Sequence, residues 1–263
     1  MRIDFNRTAA DYSRHRAGLP ESCFDKLNER GIGIAGQQVL DLGTGTATLA
    51  RGLARRGATV VGLDIAPELM RAARQLDGGD RVLFVQSHAE RTPFLDASFD
   101  VVTAVQCWHW FDRPAALREV RRLLRPQGFF VLITFDWLAL TGNVVEATEE
   151  LIERHNPHQP KPHIRYANGA GIYPQWLRDM QEGGFAGIES RSYDTEVTYS
   201  HEGWRGRIRA SQGVGATMEP EAVGRFDSEL AQLLTTRFPV ETLHIPHRVF
   251  IASSRPPASA NSP

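Results

Sequence analysis

Residues 38–64, Q-V-L-D-L-G-T-G-T-A-T-L-A-R-G-L-A-R-R-G-A-T-V-V-G-L-D, constrain the fold more than any other stretch. Val39, Leu40 and Leu42 form a short apolar run that ends in Gly43-Thr44-Gly45-Thr46. Leu49, Leu53 and Ala54 then recur at helical spacing until Gly57. A second apolar run, from Ala58 to Leu63, stops at Asp64, so the whole reads as strand, glycine turn, helix and strand with an acidic tip. Glycines at 43 and 45 let the backbone pass close beneath a ligand, and a carboxylate at the tip of the second strand accepts both hydroxyls of a ribose. An adenosine-bearing ligand across this edge is the expectation.

The glycine pattern discriminates among adenosine compounds. A dinucleotide fingerprint needs G-x-G-x-x-G, but Gly45 is followed by Thr46, Ala47 and Thr48, which leaves a pyrophosphate poorly served. Asp41, two positions before the first glycine, can anchor the turn or reach a cationic ligand group. D-L-G-T-G-T-A with L-D after the second strand resembles motif I and the following acidic motif of class I S-adenosylmethionine-dependent methyltransferases. That resemblance implies an α/β, Rossmann-like fold with a seven-stranded, mostly parallel, doubly wound sheet and helical cap insertions. It also implies S-adenosylmethionine as cofactor, S-adenosylhomocysteine as product, and Asp41, Gly43, Thr44, Gly45 and Asp64 as cofactor residues. A glycine turn in an α/β domain that binds nothing is the alternative.

Composition narrows the class. The chain has 263 residues, 41% of them apolar, enough for one large core with insertions and too hydrophobic for disorder. Net charge is −1, and only Lys26 and Lys161 among the 30 basic residues are lysine; with no basic run, a nucleic-acid footprint is not expected. Cys23 and Cys107 show no metal-ligand spacing and fit a reduced, cytoplasmic protein. The charged N-terminus and the lack of any run of 18 apolar residues argue against a signal peptide and a membrane span.

In chain order, residues 1–35 read as an N-terminal helical lid segment. Tyr12 to Pro20, Y-S-R-H-R-A-G-L-P, resembles the Y-x-x-x-R-P-x-Y-P stretch of many small-molecule methyltransferases, in which the tyrosine and arginine help close the cofactor site. Tyr12 and Arg16 match it, while Ala17 replaces the proline; a solvated amphipathic helix is the other reading. The cofactor-binding core is expected over 36–136. Ile65 continues onto the adenine face, and S-H-A-E-R-T-P-F, 87–94, resembles the family's G-D-A-E-x-L-P-F. His88 stands where the aspartate accepts from the adenine amino group, and a neutral imidazole accepts only in one tautomer, while the backbone N–H of Ala89 meets the ring nitrogen.

The fourth strand, opened by Phe99-Asp100, ends at Gln106 and Cys107 and leads into W-H-W-F-D. Ligands bind at the carboxyl ends of strands beside the switch point, so Gln106 to His109 should line the reaction centre. F-D-V-V-x-x-x-Q-x-x-H-W-F-D resembles a subgroup of the type 11 methyltransferase family that includes trans-aconitate methyltransferase-like enzymes. His109 is the candidate general base, needed only if the nucleophile arrives protonated; packing between Trp108 and Trp110 is its alternative. Trp108 is expected to face the cavity. Asp112 caps a helix from Pro114 to Leu124, and R-R-L-L-R-P-Q-G-F-F-V-L-I resembles the family's passage into the fifth strand, with Gln127 in place of a glycine.

Residues 137–255 read as an inserted substrate cap plus the last core strands, with insertions at about 137–172 and 200–245, and 256–263 as a disordered tail. A helix is expected over Thr141 to His155, then a proline-rich connection carrying His155, His158 and His163. Their setting lacks a carboxylate or cysteine at ligand spacing, and no metal is expected. Further helices are read over Pro174 to Glu182, from His201, and over Glu221 to Arg237, with a strand in between and H-R-V-F-I-A-S-S as the closing strand. Trp204, Arg205 and Arg209 are candidates for an anionic substrate, with a solvated basic face as the alternative. The function implied is methyl transfer to a small-molecule acceptor, by O- or N-methylation of a carboxylate or secondary metabolite, in a monomer or homodimer. An NAD-dependent oxidoreductase and a non-catalytic cofactor-binding module stand beside it.

Overall fold

The structure, a computed structural model, describes residue 15, residues 17–158 and residues 169–257. Tyr12, Arg16, His163 and the tail beyond 257 lie outside the described residues. In order, the elements are α1 (Glu21–Asn28), β1 (Gln38–Leu42), α2 (Thr48–Arg55), β2 (Thr59–Asp64), α3 (Pro67–Arg74), β3 (Val82–Gln86) and β4 (Phe99–Val105). There follow α4 (Arg113–Leu123), β5 (Leu124–Trp137), α5 (Val144–His155), α6 (Pro174–Glu182), β6 (Ala186–Ser200), α7 (His201–Arg209), α8 (Pro220–Arg237) and β7 (Thr242–Arg255). All seven strands form one sheet in the order β3-β2-β1-β4-β5-β7-β6. Pairing from β3 to β5 is parallel, and the order reverses between β1 and β4, which is the expected doubly wound architecture.

The apolar runs explain the sheet. Val39, Leu40 and Leu42 of β1 and Val101, Val102 and Ala104 of β4 are wholly buried, as central parallel strands covered on both faces require. Leu49, Ala50, Leu53 and Ala54 put the apolar stripe of α2 inside. At the far end of β1, Asp100 accepts from the Gln38 backbone N–H (2.8 Å) and pairs with Arg125 (2.7 Å).

Two boundaries depart from the sequence reading. Helix α4 stops at Leu123, and Leu124 is already extended and paired with Phe99, so β5 takes in the whole R-P-Q-G passage and shifts register before Phe129 pairs with Val101. Helix α5 starts at Val144, not Thr141, because the Asn143 side chain accepts from the Glu146 N–H (2.9 Å) and acts as its cap.

The chain divides into two compact units. One comprises residues 18–135, 172–193 and 249 onward, and contains β1 to β4. The other comprises residues up to 17, 136–171 and 194–248, with α5, α7 and α8. Its core joins Val145, Leu151 and Ile152 of α5 to Trp204 and Ile208 of α7 and to Phe226, Leu230 and Leu234 of α8.

Candidate cofactor and reaction site

The glycine turn lies at the carboxyl end of β1. Gly43 (φ 61°) and Gly45 (φ 54°) both occupy the left-handed region, which side chains disfavour. Gly43 has a second constraint, since a Cβ there would lie 2.8 Å from Cys107 Sγ and 3.1 Å from the Phe111 ring. Cys107 itself points its thiol at the Leu42 carbonyl (3.1 Å), so the turn of β1 and the end of β4 are fitted to each other.

Two carboxylates hold the turn. Asp41, 1% exposed, accepts from the Thr44 hydroxyl and the Thr103 hydroxyl, each at 2.6 Å. It therefore braces the turn from below, the first of the two roles its position allowed. Burial pushes its carboxyl up to about 6, against the two threonine hydrogen bonds and with help from nearby Asp64. Asp64 accepts from the Gly45 N–H and the Ala66 N–H, both at 2.8 Å, and so ties the glycine turn to the tip of β2. Its pKa is raised, because desolvation outweighs the backbone N–H groups of Ala66, Gly45 and Ile65. Thr44 closes the bend by donating its N–H to the Leu63 carbonyl (2.9 Å).

Around this turn, Ile65 is 60% exposed, an apolar side chain left on the surface next to the β2 carboxylate. His88 is exposed and closes a small turn with Arg91, while Ala89 is buried. Gln106, at the end of β4, has a φ of 55°, a strained value for a residue with a side chain, and its amide donates to the Phe135 carbonyl (2.7 Å). His109 sits in a single turn of 3₁₀ helix, Trp108–Trp110, half-buried, with its ring 4.6 Å from that of Trp110.

Several side chains expected at the substrate are engaged within the protein. Trp108 is fully buried, edge-on to Phe111 and Phe130, and its indole N–H donates to Asp179 (3.0 Å); Trp110, 40% exposed, is the outward ring. Asp179 is itself buried and also receives Arg113 (3.0 Å) and Gln175 (3.0 Å), which joins the reaction turn to α6. The 71 positions between Trp108 and Asp179 carry no periodic or motif signal that links them. In the other unit, Trp204 is also fully buried, with its indole N–H on the Thr148 hydroxyl (3.0 Å), so it is a core residue. Arg205 and Arg209 both bind Asp227 of α8, and Arg209 also pairs with Glu202 (2.9 Å). Burial pushes the Asp227 carboxyl up, but these hydrogen bonds prevail and hold it below its ordinary value.

Among the described residues, no three His, Cys, Asp or Glu side chains gather as metal ligands, and no helix is long and apolar enough to cross a membrane. His155 instead meets Glu229 at 2.7 Å.

The residues fit a cationic nucleoside. Asp41 and Asp64 stand at the tips of adjoining strands, and burial disfavours the charged form of each. A sulfonium or ammonium group nearby offsets that penalty, whereas a diphosphate would add to it.

Comparison with known proteins agrees with this geometry. A family profile described as a methyltransferase domain matches residues 40–132. An uncharacterized methyltransferase of Mycobacterium tuberculosis is 35% identical over 151 residues, which are 55% of this chain and 60% of that protein. The chain thus spans about three-fifths of the first such relatives. A ubiquinone biosynthesis O-methyltransferase of Xanthomonas euvesicatoria is 33% identical over 185 residues, 68% of this chain and 72% of that one. Among solved structures, a protein of Anaeromyxobacter dehalogenans described as a type II methyltransferase superposes with a TM-score of 0.65 at 24% identity, covering 91% of this chain and 97% of that one.

Proposed function

Because this chain belongs to the S-adenosylmethionine-dependent methyltransferase family, we propose that it transfers a methyl group from S-adenosylmethionine to an oxygen or nitrogen of a small-molecule acceptor. One observation carries the reading. The Asp64 carboxylate is hydrogen-bonded to the Gly45 N–H at the mouth of a turn that lacks a third glycine, so sugar recognition and turn are coupled without a diphosphate cradle.

The bound cofactor supplies a methyl group already activated by its sulfonium charge. Gly43 and Gly45 keep side chains out of the space above β1, and Asp41 holds that turn rigid through two threonine hydroxyls. Asp64 would hold the ribose hydroxyls, and Ile65, His88 and the Ala89 N–H would be the groups that meet the base. His109 stands in the 3₁₀ turn after β4, where it would take the proton of an incoming hydroxyl or ammonium; a nucleophile that arrives deprotonated leaves it idle. The remaining task is alignment and exclusion of water, for which orientation supplies ~7–11 kcal/mol. The protein acts in the cytoplasm, as a monomer or homodimer, with no nucleic-acid partner.

The test is equilibrium binding of tritiated S-adenosylmethionine against NAD(H), followed by S-adenosylhomocysteine release across phenols, carboxylates, amines and thiols. Binding of the sulfonium compound with release on at least one acceptor is expected. Preferential binding of NAD(H) overturns the reading, and cofactor binding with no release across the panel reduces it to a binding module.

A further inference from the structure

Residues 87–98 cross from β3 to β4 with no helix or strand of their own, and they carry His88 and Ala89, the groups that would meet the base. The backbone polar groups of such a segment have to find partners outside a ladder. On the side of β3, the Ser87 N–H donates to the Asp64 carbonyl (3.2 Å), and the Ser87 hydroxyl donates to the Arg91 carbonyl (3.1 Å). His88 and Ala89 are thereby enclosed in a small turn that starts from the tip of β2.

From Glu90 onward the segment is tied to α4 and its cap. Glu90 accepts from the backbone N–H of Asp112 (3.0 Å). Glu119 of α4 is buried, and it accepts both the Thr92 N–H (2.8 Å) and the Thr92 hydroxyl (2.7 Å). Arg122, three positions on and so on the same helix face, holds Glu119 through Nε (2.9 Å) and Nη2 (2.6 Å). Its Nη1 donates to the Phe94 carbonyl (2.8 Å) and to Asp96 (2.6 Å), while its backbone carbonyl receives the Ala97 N–H (2.9 Å). One carboxylate–guanidinium fork thus gives this segment the partners that a neighbouring strand would give. Burial pushes the Glu119 carboxyl up, but the hydrogen bonds from Arg122 and Thr92 prevail and hold it at about 2, so it is charged near neutral pH.

We propose that Glu119 and Arg122 are positioning residues for the cofactor's base: they hold the 88–92 turn where His88 and the Ala89 N–H read the edge of adenine, and so set base selectivity from a distance. The inference rests on the methyltransferase reading and adds the source of selectivity at that site. All the residues involved lie within the compact unit that contains β1 to β4. The motif that carries His88 and Ala89 contains none of the groups that fix it from α4.

Hypoxanthine in place of adenine turns the ring-nitrogen acceptor into a donor and the amino donor into an acceptor. The test is therefore calorimetric titration of the full chain with S-adenosylhomocysteine and with S-inosylhomocysteine. Wild type should bind the adenine compound about tenfold more tightly or better. Glu119→Ala and Arg122→Met should shrink that ratio to about threefold or less, and Glu119→Gln, which keeps an acceptor for Thr92, should retain more of it than Glu119→Ala. Asp100→Asn breaks another carboxylate–arginine pair, at the opposite end of β4, and should lower the melting temperature with the ratio unchanged. Equal binding of the two compounds by wild type, or an undiminished ratio in folded Glu119→Ala or Arg122→Met, would overturn the proposal. Should both variants fail to fold, Thr92→Val decides, since it keeps the shape and removes one hydrogen bond to Glu119: a lowered ratio supports the proposal and an unchanged one overturns it. Failure of S-adenosylhomocysteine itself to bind wild type would instead strike the methyltransferase reading, so the two failures are separable.

Discussion

Asp64 and Asp41 sit on adjoining strand tips, yet they serve the site differently. Asp64 presents its carboxylate to two backbone N–H groups at the mouth of the turn, where a ribose would share it. Asp64→Ala should therefore weaken cofactor affinity by about tenfold or more, since hydrogen bonds to a charged group contribute about 1.5–3 kcal/mol. Equilibrium dialysis with tritiated cofactor checks this, and an unchanged dissociation constant would remove Asp64 from the site. Asp41 has both oxygens engaged inside the protein and titrates at about 6 instead of 3.8. The folded protein thus holds this proton more tightly than the unfolded chain does. The stabilisation is fully present below 3.8 and is lost as pH rises through about 6. Two pKa units correspond to roughly 3 kcal/mol. Asp41→Asn, which does not titrate, should gain roughly that much relative to wild type between about pH 4 and about pH 7, on top of a constant cost from its altered hydrogen bonds. Urea titrations of both proteins across that range give the difference, and a flat difference would show that Asp41 ionises normally.

At the scale of elements, the 3₁₀ turn Trp108–Trp110 depends on a partner from α6. The indole N–H of Trp108 is buried on Asp179, which also holds Arg113 at the start of α4. Asp179→Ala would leave a buried donor unsatisfied and a half-buried guanidinium without its carboxylate. A stability loss of about 1–3 kcal/mol is expected from the orphaned donor, and Asp179→Asn, which keeps one acceptor, should lose less. Thermal melts of the two variants order the effects. This contact also marks how far the sequence could be read. The βαβ unit was legible because its signals are local: an apolar run, two glycines, a helical stripe and an acid all fall within residues 38–64. Asp112 as the cap of α4 was legible for the same reason, and its carboxylate does accept from the Ala115 N–H. Trp108 was misread as facing the cavity because its orientation is set by a carboxylate 71 positions away. That Arg205 and Arg209 are taken up by the protein's own acids likewise depends on Asp227, which lies on another helix.

The whole molecule imposes a different constraint, because the compact unit that holds the glycine turn and Asp64 is not one continuous piece of chain. Residues 18–135 supply β1 to β4 and most of β5, but residues 172–193 and 249 onward complete the unit, and β7 takes the place beside β5 in the sheet. Phe129 to Phe135 of β5 are buried throughout, as befits a strand with neighbours on both sides and helices over both faces. A fragment ending at residue 135 would retain every motif by which the family is recognised, yet it would expose β5 as a long apolar edge. Such an edge pairs with whatever chain it meets. Residues 18–135 expressed alone should therefore aggregate or lack a cooperative unfolding transition, while the full chain melts cooperatively. Coexpression with residues 172–257 should restore soluble material if the missing strand is the cause. A soluble, cooperatively melting fragment that binds S-adenosylhomocysteine would show instead that the first five strands suffice. The late strands would then belong to acceptor recognition alone.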